Sequence, residues 1–164
     1  MWWATDVQYS DDRAVVAGLG FLSFADDAGE EHVLEVPGAP EAYEPGAFYK
    51  RELPLLLDLL RGRTVTGVVV DGFVWLGPDR PGLGAHLHGA LGGVPVIGVA
   101  KTGFQGADAV AEAVLRGQSE RPLWVTAEGV AVDRAARWIR QMHGPHRIPT
   151  LLKRVDRLCR GEDG

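Results

Sequence analysis

Three acids stand where an acid is costly. Asp71 closes the apolar run Val68-Val69-Val70, the kind of stretch that forms a strand buried on both faces. It therefore falls at the carboxyl end of a strand, where open α/β sheets bind ligands. Asp6 closes Trp2-Trp3-Ala4-Thr5 in the same way. Glu52 lies four residues after Phe48 and four before Leu56, on the apolar stripe of a helix that also carries Leu55, Leu59 and Leu60. Taken singly, each has an ordinary explanation. Asp71-Gly72 is a common turn pair, Asp6 can be a strand-end acid, and Glu52 can be a rim residue on a helix that Pro54 disturbs. Taken together, two strand-borne acids and one helix-borne acid can converge at one sheet edge. Three carboxylates with no cysteine or histidine motif suit a hard, oxygen-seeking ion such as Mg²⁺ or Mn²⁺. A pair of such ions, roughly 3.5–4 Å apart, stabilises the attacking and leaving oxygens of phosphodiester hydrolysis. Lys101, at the end of the next apolar strand, offers a cation for a phosphate; on spacing alone a surface lysine is an equal reading.

The elements that must position these residues are legible in outline. Met1–Tyr9, Arg13–Phe24 and Glu31–Val36 read as three strands with short acidic turns, an antiparallel meander. Pro45-Gly46 opens a helix to about Gly62, and Val65–Val70 and Val94–Ala100 read as buried strands. Pro81–Leu91 and Ala107–Leu115 read as helices, and Pro122–Thr126 as a short strand. Val132–Met142 and Thr150–Cys159 read as basic amphipathic helices. Strands first, then alternating helix and strand, predict an α/β fold: a mixed sheet of three antiparallel strands then parallel strands, flanked by helices.

At 164 residues, 46% hydrophobic and 24% charged, the chain is of a size and composition for a single globular domain over 1–164, not for a disordered polymer. The one cysteine, Cys159, excludes an internal disulfide or a cysteine-built zinc site and fits a reducing, cytoplasmic setting. No apolar run approaches the roughly 20 residues of a membrane span. The net charge of −5 argues against nucleic acid as a whole-chain attraction, but residues 134–160 hold eight basic residues against one acid, Asp156. A basic segment on an acidic body can hold a polyanion locally. His86 and His88, two apart on a helix, face different directions and do not share a metal.

The order of several motifs is more specific than any one of them. Ala4-Thr5-Asp6-Val7-Gln8-Tyr9, Tyr43-Glu44-Pro45-Gly46 running into Arg51-Glu52-Leu53-Pro54, Val70-Asp71-Gly72 followed by Gly82-Leu83-Gly84-Ala85-His86, Pro95–Lys101, and Arg147-Ile148-Pro149 occur in this sequence and spacing. In them the chain resembles the endonuclease V (deoxyinosine 3′ endonuclease) family, strongly over residues 1–104 and in patches afterwards. The resemblance implies an RNase H-like fold and a Mg²⁺-dependent (or Mn²⁺-dependent) endonuclease of DNA repair. Its substrate would be DNA or RNA carrying a deaminated purine, inosine, cut 3′ to the lesion. No membrane and no obligate protein partner are implied. Asp6, Glu52 and Asp71 match the catalytic, metal-binding acids. Tyr43 matches an aromatic wedge in opened DNA; Gly46, Phe48 and Gly72 match positions lining the pocket for the flipped-out base; Lys101 matches a lysine close to the site. A base must leave its stack to be read, and an aromatic side chain can take its place there.

The chain also departs from the family. Phe73-Val74 stands where a QG pair is usual, and Leu76-Gly77-Pro78-Asp79 where AHPR is usual. Gly77 and Glu128 thus replace two family histidines, and Glu128 is a candidate fourth acidic ligand. These changes leave two alternatives open: a nuclease of relaxed or different specificity, and a nucleic-acid-binding module without turnover.

Overall fold

The computed structural model describes residues 1–38 and 49–162. The first three strands, β1 (Trp2–Tyr9), β2 (Arg13–Phe21) and β3 (Glu30–Pro37), form the expected meander. β2 ends before Phe24 because Asp26 turns back on the chain and accepts the N–H groups of Leu22 and Ser23 at 3.1 and 3.0 Å. Helix α1 (Tyr49–Leu60) follows, then β4 (Gly67–Asp71), the small hairpin β5 (Trp75–Gly77) and β6 (Arg80–Pro81), helix α2 (Leu83–Ala90) and β7 (Val96–Ala100). The chain continues with β8 (Glu112–Val114), β9 (Leu123–Glu128), α3 (Val132–Gln141) and α4 (Thr150–Cys159). Tyr43, Gly46, Phe48 and the Pro45-Gly46 helix start lie outside the described residues.

Seven strands make one mixed sheet in the order β3-β2-β1-β4-β7-β9-β8. β4 is parallel to β1, and β7 to β4, while β9 runs antiparallel to β7. The sheet is thus mixed at its second end too, beyond the antiparallel-then-parallel order predicted. The helix expected over 107–115 is a correction. Only one turn forms, in which the Ala111 N–H donates to the Ala107 carbonyl at 2.9 Å. Residues 112–114 then pair with 123–125 of β9. Covering the ladder groups of β9 outweighs the helix preference of an alanine-rich segment.

The sheet has a core on each face. Ala4, Leu19, Val69, Ile97 and Val99 pack beneath α3 and α4, against Ala135, Ile139, Leu151 and Val155. Trp3, Val16, Val68, Val70 and Val96 pack against Leu55, Leu56, Leu59 and Leu60 of α1 and Leu87 of α2. The alternation within β1 and β4 sends neighbouring side chains to opposite faces, so the triple valine of β4 is apolar throughout. Among the described residues no helix is long and apolar enough to cross a membrane.

The seat of α4 depends on a buried cation. Arg116 is only 5% exposed and donates to the carbonyls of Met142, His146, Gly144 and Arg147 at 2.6, 2.7, 2.9 and 3.3 Å. One forked guanidinium therefore holds the turn between α3 and α4. Replacing it strands these acceptors, and Arg116→Ala is expected to cost about 3 kcal/mol. For a chain of this size that lowers Tm by roughly 6–12 °C in a thermal melt. Arg116→Lys should recover little of the loss, because an ammonium cannot reach so many acceptors in one plane.

Candidate metal centre and adjoining cavity

Register brings the strand-borne acids together. Ala4 is level with Val69 in the parallel β1–β4 pair. Two residues further along both strands lie Asp6 and Asp71, on the same face as Ala4 and Val69. Two residues past Val99 on the next strand lies Lys101, which shares with Asp6 and Asp71 a cavity of about 30 Å³, the scale of a single water or ion. Thr5, buried beside them, donates its hydroxyl to the Val69 carbonyl at 3.2 Å and ties the two strands at this point. The Asp6 carboxylate accepts the Val7 N–H at 2.9 Å.

The exit from β4 is held by a close backbone approach. Gly72 has φ +121°, a conformation that side chains resist, and its N–H donates to the Val99 carbonyl at 3.0 Å. The chain then crosses over Gly98, where an added Cβ would sit 2.5 Å from the Gly72 oxygen and 2.8 Å from the Val74 nitrogen. Buried Thr126 accepts the Val74 N–H at 2.8 Å and fixes the turn from beneath. Asp71 is thereby aimed by three strands, β4, β7 and β9.

Glu52 arrives from the other side. Its helix packs on the face opposite Asp6 and Asp71, yet Glu52 is the buried residue of its first turn, 9% exposed. It reaches the sheet edge from there, and its carboxyl feels the charges of both Asp71 and Asp6. Burial first, then those two acids, push the Glu52 carboxyl up to about 8, against the pull of Arg51. Burial and Asp71 push Asp6 up to about 7, against the Val7 hydrogen bond and Lys101. Asp71 stands exposed at the rim, and the surrounding protein still raises its carboxyl, opposed by Lys101 and Arg160. Crowded carboxyls that resist ionising are what a hard divalent cation relieves. The donor set, all oxygen, fits Mg²⁺ or Mn²⁺.

The fourth acid is Asp156. Among the described residues, Asp6, Asp156 and Cys159 each place one potential ligand atom within 4.8 Å of the others, while Asp71 acts on Asp6, and Asp6 on Glu52, through their charges. Leu151, Val155 and Cys159 form the buried stripe of α4, and Asp156 sits on the stripe's edge, towards Asp6. Burial opposes its ionisation, but Arg160 beside it wins and holds the carboxyl below the usual aspartate range. Cys159 is not a nucleophile, since burial and the charges of Asp6 and Asp156 push its thiol up to about 12. Glu128, considered above as a ligand, is elsewhere. Because β9 is antiparallel to β7, its carboxyl end pairs Glu128 with Val96, at the opposite sheet edge from Lys101. Its carboxylate accepts the indole N–H of Trp75 at 2.9 Å. His86 and His88 part as expected: His86 stacks on Tyr49 at 3.6 Å, and His88 bonds the Val94 carbonyl at 2.8 Å.

Beside Asp71 opens a cavity of about 390 Å³ lined by Tyr49, Gly72, Phe73, Leu76, Arg80, Gly82, Leu83 and Phe104, a size suited to a small ligand. The Arg80 guanidinium lies 5.4 Å over the Phe104 ring. Phe73, where the resemblance implies a polar residue, becomes part of an aromatic wall with Phe104. On the far side of the centre, Arg147 donates to the Lys101 carbonyl and, at 2.9 Å, to that of Pro122, so the Arg147-Ile148-Pro149 turn holds the end of β7.

The family model for endonuclease V matches residues 3–157. Endonuclease V of Streptomyces avermitilis is 32% identical over 179 aligned residues, spanning 94% of this chain and 77% of that protein. Its counterpart in Streptomyces coelicolor is also 32% identical, spanning 94% and 76%. The crystal structure of the S. avermitilis protein superposes with a TM-score of 0.77 at 31% identity, over 97% of this chain and 79% of that one. Endonuclease V of Ciona intestinalis, in complex with a 24mer DNA containing an inosine followed by a ribo-adenosine, superposes with a TM-score of 0.79 at 20% identity. That likeness spans 98% of this chain and 84% of the Ciona chain, and is one of fold.

Proposed function

The chain belongs to the endonuclease V family and is an endonuclease; on that premise we propose that it hydrolyses, with Mg²⁺, the phosphodiester 3′ to a deaminated purine such as inosine in DNA, and by the same chemistry in RNA. One observation carries the reading: Asp6 and Asp71 stand aligned at the carboxyl ends of β1 and β4, and Asp71 also lines a cavity of about 390 Å³, room enough for a purine base. Asp6, Asp71 and Asp156, with Glu52 as a further ligand or water-positioning acid, would hold the ion. The bound ion supplies activation of the attacking water and charge stabilisation at the phosphate. Lys101, which lines the same cavity as Asp6 and Asp71, would place a cation beside the same phosphate. Gly72, Phe73 and Leu83 give the flipped base an apolar, close-fitting surface, and the unstacked position in the duplex would fall to Tyr43. Gly46 and Phe48 would complete the base pocket. The basic residues of α3 and α4 contact the strand, so binding should weaken steeply with salt.

The changed residues at Phe73 and Gly77 favour a second reading, the same chemistry with relaxed base choice. Cleavage of matched oligonucleotides with and without inosine, in Mg²⁺ or Mn²⁺, tests both. We expect scission at the second phosphodiester 3′ to inosine only, leaving 3′-hydroxyl and 5′-phosphate ends. Equal cutting of both oligonucleotides supports relaxed choice. Salt-sensitive binding without any cutting overturns the assignment of a working catalyst.

A further inference from the structure

α4 hands the chain over to Arg160 at the mouth of the carboxylate cluster. Arg160 donates from Nε to Asp156 Oδ1 at 2.9 Å. An exposed pair at i,i+4 spacing is ordinarily a weak helix contact. This one differs in where it stands. The Arg160 side chain is 50% exposed and that of Asp156 only 16%, so the cation closes a carboxylate that is otherwise turned inward. The same guanidinium charge acts on Asp71 and Asp6. On its outer side Arg160 lines a groove of about 230 Å³ with Gln8, Tyr9, Ser10 and the ion pair of Arg13 and Glu35, 3.4 Å apart, over a floor that includes Val15, Val33 and Leu158. One guanidinium therefore borders both the acids and an open groove on the outer side of the sheet.

We propose that Arg160 exchanges partners: it pairs with Asp156 while the centre lacks a divalent cation, and binds a backbone phosphate of the nucleic-acid strand in the adjoining groove once the cation has taken that carboxylate. The inference rests on the metal-dependent nuclease reading and adds to it a substrate contact. A bound divalent ion would offset the negative charge that holds the guanidinium inward, and Asp156, one of the residues that would hold the ion, would then be shared between the two cations. The freed fork, already half in solvent, matches the paired oxygens of a phosphate. Arg160 would thus keep the acid cluster tolerable without metal and join the strand only when the centre is loaded.

The test compares wild-type protein with Arg160→Ala and Arg160→Lys. Mn²⁺ binding is measured calorimetrically without nucleic acid. Binding of an inosine-containing duplex is measured in Ca²⁺ across a salt series, with intact substrate verified on a gel. Removing a competing cation should tighten Mn²⁺ binding of Arg160→Ala about 3- to 10-fold. It should also make the slope of log affinity against log salt shallower by about one phosphate contact, roughly 0.9. Arg160→Lys should keep the wild-type slope. An unchanged slope in Arg160→Ala overturns the proposal whatever the metal affinity, because a mere helix contact leaves it unmoved. An unchanged Mn²⁺ affinity overturns the exchange with Asp156. These failures, beside a wild type that binds and cuts, leave the nuclease reading standing; a wild type that binds neither Mn²⁺ nor duplex overturns both.

Discussion

Asp71→Asn and Asp6→Asn should each reduce cleavage by about 10³-fold or more, the scale of losing a main source of charge stabilisation at the reacting phosphate, while the metal-free proteins remain folded. The expectation follows from two properties of the site. The two carboxylates lie side by side on parallel strands and share one ion-sized cavity with Lys101, so an amide at either position removes an anionic ligand without altering shape. The raised carboxyl of Asp6 also means that its charge works against the fold. Asparagine retains an oxygen for the Val7 N–H and discards the repulsion with Asp71. Metal-free Asp6→Asn should therefore melt several degrees above metal-free wild type, and added Mg²⁺ should raise its Tm less. A variant that is both inactive and more heat-stable separates a functional acid from a structural one. Turnover within tenfold of wild type for either variant would remove the assigned role.

Much of the carboxylate centre is legible in the amino-acid sequence. Asp6, Glu52 and Asp71 stood out because each interrupts an apolar pattern, and a charge at the end of a buried strand is a strong local signal. That Asp6 and Asp71 share a face is a consequence of register, which strand length and parity nearly dictate. The layer from which Glu52 enters is not; it follows from α1 packing on the face away from α4. Asp156 was visible only as the single acid in a basic stretch. Its position beside the Leu151–Val155–Cys159 stripe was the available clue, but a helical edge residue points at the cluster only once Arg116 has seated α4. Glu128 misled for a related reason. Nothing local to Leu123–Glu128 says that the strand runs against β7, and that direction alone sends its carboxyl end to the wrong edge. The segment 107–115 lacks a strong pattern of either period, so the open ladder of β9 decided its structure.

Without divalent metal, stability should fall as pH rises from about 4 to about 8, opposite to the usual rise of a protein leaving acid conditions. Asp6 is raised from 3.8 to about 7 and Glu52 from 4.5 to about 8. Below the lower value of each pair, folded and unfolded chains both hold the proton and the stability is fully present. Between the two values only the folded chain keeps it, so each further rise in pH favours unfolding, by up to about 1.4 kcal/mol per unit for each group. The loss is complete once pH passes the folded value. For Asp6 alone it is on the order of 4 kcal/mol. Because Asp6 and Glu52 repel each other, the two losses are not independent. Asp156 and Glu31, held below the usual range by Arg160 and Arg154, act in the other direction and withdraw support below about pH 4. The metal-free optimum should therefore lie near pH 4–5 and not near neutrality. Mg²⁺ opposes the fall, since it binds the ionised cluster of the folded chain and returns about 2.7 kcal/mol at a hundredfold excess over its Kd. Thermal melts with EDTA and with excess Mg²⁺, taken across this range, should diverge progressively above pH 5. A metal-free Tm that is flat or rising from pH 5 to 8 would mean that the carboxyls are not crowded, and the centre would then lose its electrostatic reason to take up a cation.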